Sequence, residues 1–86
     1  LRRLAQQAAD AFGVDADNLL RPGKLRGLVA ARSVFCYWAV RELGHTATAL
    51  ARELALTQAA VSIAVRRGER IVRERGIWLE GREGNL

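Results

Sequence analysis

Apolar and small residues recur with helical spacing along most of this chain, most clearly from Thr46 to Gly68, TATALARELALTQAAVSIAVRRG. Leu50, Ala51, Leu54 and Leu56 form one stripe and, after a polar break, Val61, Ala64 and Val65 form another. This pattern predicts two short amphipathic helices meeting at a tight turn, the layout of a helix-turn-helix. Thr57 falls where the second helix should begin, and its hydroxyl is placed to cap the free amides of the first turn. Leu56 before this cap and Val61 four residues after it have the spacing of a hydrophobic staple, which fixes the angle at which the chain enters the helix. Small Ala51 and Ala55 suit the inner corner between two crossing helices.

The other stretches supply helices on which this pair can rest. Leu1 to Phe12, LRRLAQQAADAF, places Leu4, Ala8, Ala11 and Phe12 on one stripe, and Gly13 is suited to end that helix in the left-handed conformation, with Val14 folding back. Asp15 to Leu20 has capping residues ahead of two leucines, the mark of one further helical turn. Arg21-Pro22-Gly23-Lys24, with Arg26 and Gly27, reads as a short flexible basic loop from Arg21 to Gly27.

Leu28 to Leu43, LVAARSVFCYWAVREL, is the most hydrophobic part of the chain. Its run from Val34 to Val40 has strand propensity, but the length of the stretch and the spacing of Leu28, Phe35, Ala39 and Leu43 favour a helix. A helix apolar on nearly every side belongs at the centre of a bundle, and Gly44 closes it. Beyond the helix-turn-helix, Glu69 with Arg73 and Arg70 with Glu74 are opposite charges four apart, while Ile71 and Val72 extend the inner stripe. From Gly76 the sequence GIWLEGREGNL loses periodicity and reads as a loosely ordered tail, 76–86. Within it, Trp78 and Leu79 either pack back on the core or mark a contact with an upstream domain or a second copy in a homodimer. The expected fold is all-α, a small helical bundle of about four helices containing a helix-turn-helix, in one domain over residues 1–75.

Faces then point to function. With Val61, Ala64 and Val65 turned inward, the second motif helix presents Gln58, Ala59, Ser62, Ile63 and Arg66, followed by Arg67 and Arg70, with no carboxylate before Glu69. Such a face suits a DNA major groove: an amide for adenine, a hydroxyl, a methyl and an aliphatic group for thymine methyls, and guanidinium groups for guanine or phosphate. Charge agrees, since 14 Lys and Arg against 9 Asp and Glu give a net +5 and a sequence pI near 11.0. All but one of those cations are arginine, which favours bidentate contact with phosphate and base edges. An ordinary helical hairpin with a solvated face has a similar pattern. Agreement of spacing, cap, staple and charge is what favours DNA.

The expected base-reading residues are Thr57, Gln58, Ala59, Ser62, Ile63 and Arg66, and the expected phosphate or minor-groove contacts are Arg21, Lys24, Arg26, Arg32, Arg67 and Arg70. For the basic loop, a solvated connector and an arm touching the DNA backbone or minor groove both stay open. Arg32, alone on its apolar helix, is expected to pair with a carboxylate or a phosphate.

Other chemistry is sparse. Cys36 is the single cysteine, which excludes an internal disulfide, and in its apolar run it reads as a small buried hydrophobe. His45, the single histidine, reads as a surface or capping residue. One His, one Cys and scattered acids assemble no nucleophile with its base, no paired carboxylates and no metal cluster, so neither enzyme activity nor a cofactor, metal or small-molecule site is expected. No segment approaches the roughly twenty uncharged residues of a membrane span, and no signal peptide is visible, so a soluble intracellular protein is expected. A chain of 86 residues without methionine reads as a piece of a longer protein, with a main activity expected upstream.

The order of helix, basic loop, long apolar helix and helix-turn-helix resembles the C-terminal DNA-binding domain of the bacterial replication initiator DnaA. The similarity covers about Ala9 to Glu74, with AFGVDADNLLR similar to the family's first helix and loop and VAARSVFCYWAVREL similar to its long helix. The resemblance puts Arg32 on the arginine of that helix, and Lys24 and Arg26 in the loop that approaches DNA. Where the family begins its recognition helix with an Arg-Asp-His-Ser/Thr-Thr signature, this chain has Leu56-Thr57-Gln58-Ala59-Ala60-Val61 and a shorter turn, so origin recognition is not implied. RSVFCYWAVRELG followed by LARELALTQAAVSIAVRRGE is more similar to the DnaA-like tails of REP-associated single-tyrosine transposases, in which a separate upstream domain cleaves DNA. That resemblance implies a bacterial, cytoplasmic, nucleoid-associated module that locates or grips a double-stranded DNA site. The competing expectation is an interaction module that uses the same scaffold for dimer formation, through Ile63, Trp78 and Leu79.

Overall fold

Glycines and capping side chains set the ends of the helices. In the computed structural model, which describes residues 2–19 and 26–79, α1 (Arg2–Phe12) stops at Gly13, whose φ is +65°. The Val14 N–H then reaches back to the Ala9 carbonyl at 3.0 Å, and the Val14 side chain packs on the core. The buried stripe of α1 is Leu4, Ala5, Ala8 and Ala9, with Phe12 half-buried. Ala11, expected in that stripe, is exposed, because at 100° per residue it falls about 90° from the centre of the buried arc.

The further turn expected after Asp15 is α2 (Ala16–Leu19), opened by an Asp15 carboxylate that accepts from the Asp17 N–H at 2.9 Å. It is anchored by Leu19, which is fully buried. Arg26 and Gly27 are the first residues of α3 (Arg26–Tyr37), not the end of a loop. The rest of the predicted basic loop, including Arg21 and Lys24, lies outside the described residues.

α3 is the central helix, with Ala31, Val34, Phe35 and Cys36 fully buried, and none of its strand-prone residues forms a strand. It continues into a π turn, Trp38–Glu42, in which the Leu43 N–H bonds to the Trp38 carbonyl at 3.0 Å, five residues back. The wider turn admits one extra residue and rotates the residues after it by about 100°. Leu43, expected on the inner stripe, is the residue that caps this turn and is 46% exposed. Gly44, at φ +78°, then reverses the chain.

α4 (Ala47–Leu54) and α5 (Gln58–Arg75) are the two helices of the helix-turn-helix, each capped by a threonine: Thr46 Oγ1 accepts from the Ala49 N–H and Thr57 Oγ1 from the Ala60 N–H, both at 3.0 Å. Leu50, Ala51 and Leu54 of α4 and Val61, Ala64, Val65 and Val72 of α5 are buried. Leu56 is partly buried against the core that contains Val61. Ala55 is not at the inner corner. It is exposed, with φ +55°, and serves as the left-handed cap through which the Leu56 N–H reaches the Ala51 carbonyl at 2.9 Å.

α5 crosses α3 at Gly68, where helix backbones meet without an intervening side chain. Gly76 (φ +65°) ends α5, after which Ile77 is half-buried and Leu79 buried on the core. Of the two residues singled out after Gly76, Leu79 is buried whereas Trp78 remains 48% exposed. No described helix is long and apolar enough to cross a membrane.

Candidate nucleic-acid interface

Two opposite arcs of α5 decide what the helix can touch. Projected at 100° per residue, Val61, Ala64, Val65, Gly68 and Val72 occupy about 100° of the circumference, and all are buried. Gln58, Ala59, Ser62, Ile63, Arg66, Arg67 and Arg70 occupy the opposite half, and all are exposed. Ile63 is 50% exposed, an aliphatic group set among polar and cationic neighbours. Thr57 is exposed, but its hydroxyl oxygen already accepts the capping bond from Ala60.

Electrostatics on this face is cationic. Glu69, its first carboxylate, is held by two arginines: Arg73 Nη2 lies 2.9 Å from Oε2 and Arg41 Nη1 lies 3.6 Å from Oε1. The second expected pair does not form, since Arg70 and Glu74 make no ion pair among the described residues. Arg70 is thereby left pointing to solvent. Arg41, on the π turn, belongs to this charge cluster although sequence reasoning does not single it out. Its adjacency to α5 comes from the packing of separate elements, which local spacing does not encode. Burial, with the carboxylates of Glu42 and Glu69 nearby, holds the Tyr37 hydroxyl protonated above its ordinary range.

Arg32 stands apart from this group. Its Nε donates to the Leu19 carbonyl at 3.0 Å, so it fastens the end of α2 to α3. The partner expected for it was a carboxylate or phosphate. The partner shown is a main-chain carbonyl, that of the last residue of α2. Partial burial lowers its pKa, with the nearby Cys36 thiol acting in the opposite direction. Of the remaining expected contacts, Arg26 opens α3, and Arg21 and Lys24 lie outside the described residues.

On the far side of the motif, His45 is exposed, and its N–H bonds to the Ala39 carbonyl at 2.9 Å. It borders a shallow depression with Ala49, Leu50, Arg52 and Glu53. Comparison with protein-family models, with curated proteins and with solved structures gives no significant match.

Proposed function

We propose that this chain binds double-stranded DNA with sequence selectivity, laying the N-terminal half of α5 in the major groove. The observation that carries this reading is the division of α5 into a buried aliphatic arc and an opposite, exposed arc of amide, hydroxyl, aliphatic and guanidinium groups. Its nearest carboxylate, Glu69, is paired with Arg41 and Arg73, which offsets most of its repulsion of phosphate. Gln58, Ala59 and Ile63 meet base edges, Ser62 and Arg66 flank them, and Arg67 and Arg70 hold phosphates. Arg32 keeps a positional role in this scheme, and the segment with Arg21, Lys24 and Arg26 supplies further backbone contacts. The resemblance to DnaA-like tails of single-tyrosine transposases supports a place as the DNA-gripping part of a larger transposase-like or initiator-related protein, with no enzymatic step carried out by these residues.

A fluorescence anisotropy titration against a random-sequence duplex pool at roughly 50 and 200 mM salt tests the reading. With about five phosphate contacts, log affinity against log salt has a slope of about −4 to −5, a loss of several hundredfold across that range. Absence of binding at the lower salt sinks the proposal. The competing dimer module, favoured by half-exposed Trp78 and Ile63, instead gives concentration-dependent association without salt-sensitive DNA affinity.

A further inference from the structure

A shallow cleft opens where the π turn, the start of α4 and the middle of α5 meet, lined by Val40, Arg41, Ala47, Ser62, Val65 and Arg66. Three of these are aliphatic and form an apolar floor. The other three supply two guanidinium groups and a hydroxyl, and no carboxylate lines the cleft. We propose that this cleft is a phosphodiester site, taking one backbone phosphate of duplex DNA between Arg41 and Arg66. Ser62 Oγ donates to the same phosphate, and the adjoining deoxyribose rests on Val40, Ala47 and Val65. A phosphodiester presents an anion flanked by apolar sugar faces, and the cleft presents the complement.

The proposal rests on α5 lying in the major groove and adds a register to it. Ser62 and Arg66 line the cleft; on the helical projection Ala59 and Ile63 lie further round from Val65, and Gln58, though on the Val65 side, lies a full turn before Ser62 and outside the cleft. Ser62 and Arg66 therefore grip the backbone beside the bases that Gln58, Ala59 and Ile63 touch, in place of reading base edges themselves. Arg41 is half exposed and sits 3.6 Å from Glu69, which leaves it further N–H donors for a phosphate. When Arg41 turns to the phosphate, Glu69 keeps its closer bond to Arg73 at 2.9 Å.

The test is the salt dependence of binding to a random-sequence duplex of roughly 20 base pairs, measured for the parent chain, Arg41→Gln, Arg41→Lys, Arg66→Gln and Arg3→Gln. Arg3 is exposed on α1, away from the cleft, and controls for loss of one positive charge. The expected result is a slope smaller by about 0.9, one phosphate's share, for Arg41→Gln and for Arg66→Gln, with the slope kept by Arg41→Lys and Arg3→Gln. Arg66→Gln also leaves the ranking among selected sequences unchanged. An unaltered slope in folded Arg41→Gln and Arg66→Gln, or an equal fall in Arg3→Gln, overturns the cleft and leaves the major-groove reading standing. Loss of ranking in Arg66→Gln returns that residue to base reading and also overturns it. If the parent shows no salt-dependent binding, the major-groove reading itself fails and this site with it. Thermal melts followed by circular dichroism establish that each variant is folded, and Arg66→Gln, at an exposed position, decides the matter if Arg41→Gln is not.

Discussion

Gly68 of α5 rests on the main chain of Ser33 in α3: a Cβ at residue 68 would stand 2.6 Å from the Ser33 carbonyl carbon and 2.8 Å from Tyr37 Cβ. Main chain cannot swing aside as a side-chain tip can, so the two helices approach as closely as glycine permits. Ser33 fits the same crossing by turning its hydroxyl back to the Val29 carbonyl at 2.9 Å, which satisfies the one buried polar side chain among the described residues. In an ordinary helix interior Gly→Ala stabilises by about 1 kcal/mol. Here overpacking of about 1–3 kcal/mol or more opposes that gain, and Gly68→Ala is expected to lower stability in urea unfolding. A rise in melting temperature would refute the close crossing.

Ala55 holds a left-handed conformation at φ +55°, a position where glycine avoids a cost of about 1–2 kcal/mol. Part of that gain is lost to the greater freedom of glycine in the unfolded chain. Ala55→Gly is expected to stabilise the protein by about 0.5–1 kcal/mol, while Thr57→Ala, two residues on, removes the cap of α5 and costs about 1 kcal/mol. Chemical denaturation of the two variants side by side checks both signs.

Burial pushes the Cys36 thiol from its ordinary 9.0 up to about 12, with the charge of Arg32 only partly opposing. An acid whose folded pKa is raised keeps its proton where the unfolded chain has released it. Stability should therefore be insensitive to this group below about pH 9 and fall as pH rises from there toward 12, a fall that Cys36→Ala reduces. At about pH 8 the native thiol should resist a thiol-specific disulfide reagent until the protein unfolds. Rapid labelling of folded protein would contradict its burial.

On the DNA face the proposed roles separate cleanly. Gln58→Ala should relax sequence preference by roughly 1–3 kcal/mol, whereas Arg70→Ala should weaken all sequences alike and flatten the salt dependence. Unaltered specificity in Gln58→Ala would remove α5 from the groove.

Glu69→Gln dissolves the pairing with Arg41 and Arg73 and removes the first negative charge along the same helix. Because Arg73 and Arg41 are each about half exposed or more, the stability change should stay within a few tenths of a kcal/mol. DNA affinity should rise several-fold at low salt. Weaker binding would mean that Glu69 positions Arg41 or Arg73 for contact.

Local signals in the sequence lead directly to the helix-turn-helix. Thr57 as cap and the inward Val61, Ala64 and Val65 come from spacing within one or two turns, and each stands where expected, with Leu56 packed on the core that contains Val61. Contacts between distant segments are not legible in this way. Gly68 reads in sequence only as a weak helix former, because the backbone that requires it belongs to Ser33, thirty-five positions earlier. The contact of Arg32 with Leu19 is illegible for the same reason: a charged side chain announces that it wants partners, but not that the end of another helix will supply a carbonyl. Ala55 suits a packed corner by its small size, whereas the turn uses its tolerance of a strained backbone. Leu43 keeps helical spacing in the sequence but caps a π turn that no residue preference marks, and it is half exposed there.

That turn changes how length variation along the chain should be understood. Removing one residue from Trp38–Glu42 would let the segment close with ordinary i→i+4 bonds and still deliver Thr46 to the start of α4. The same deletion earlier in α3 would rotate Ser33 away from Gly68 and unseat the whole motif. Related chains are therefore expected to differ by a single-residue gap inside this helix, and an alignment that forbids gaps within helices would set its two halves out of step.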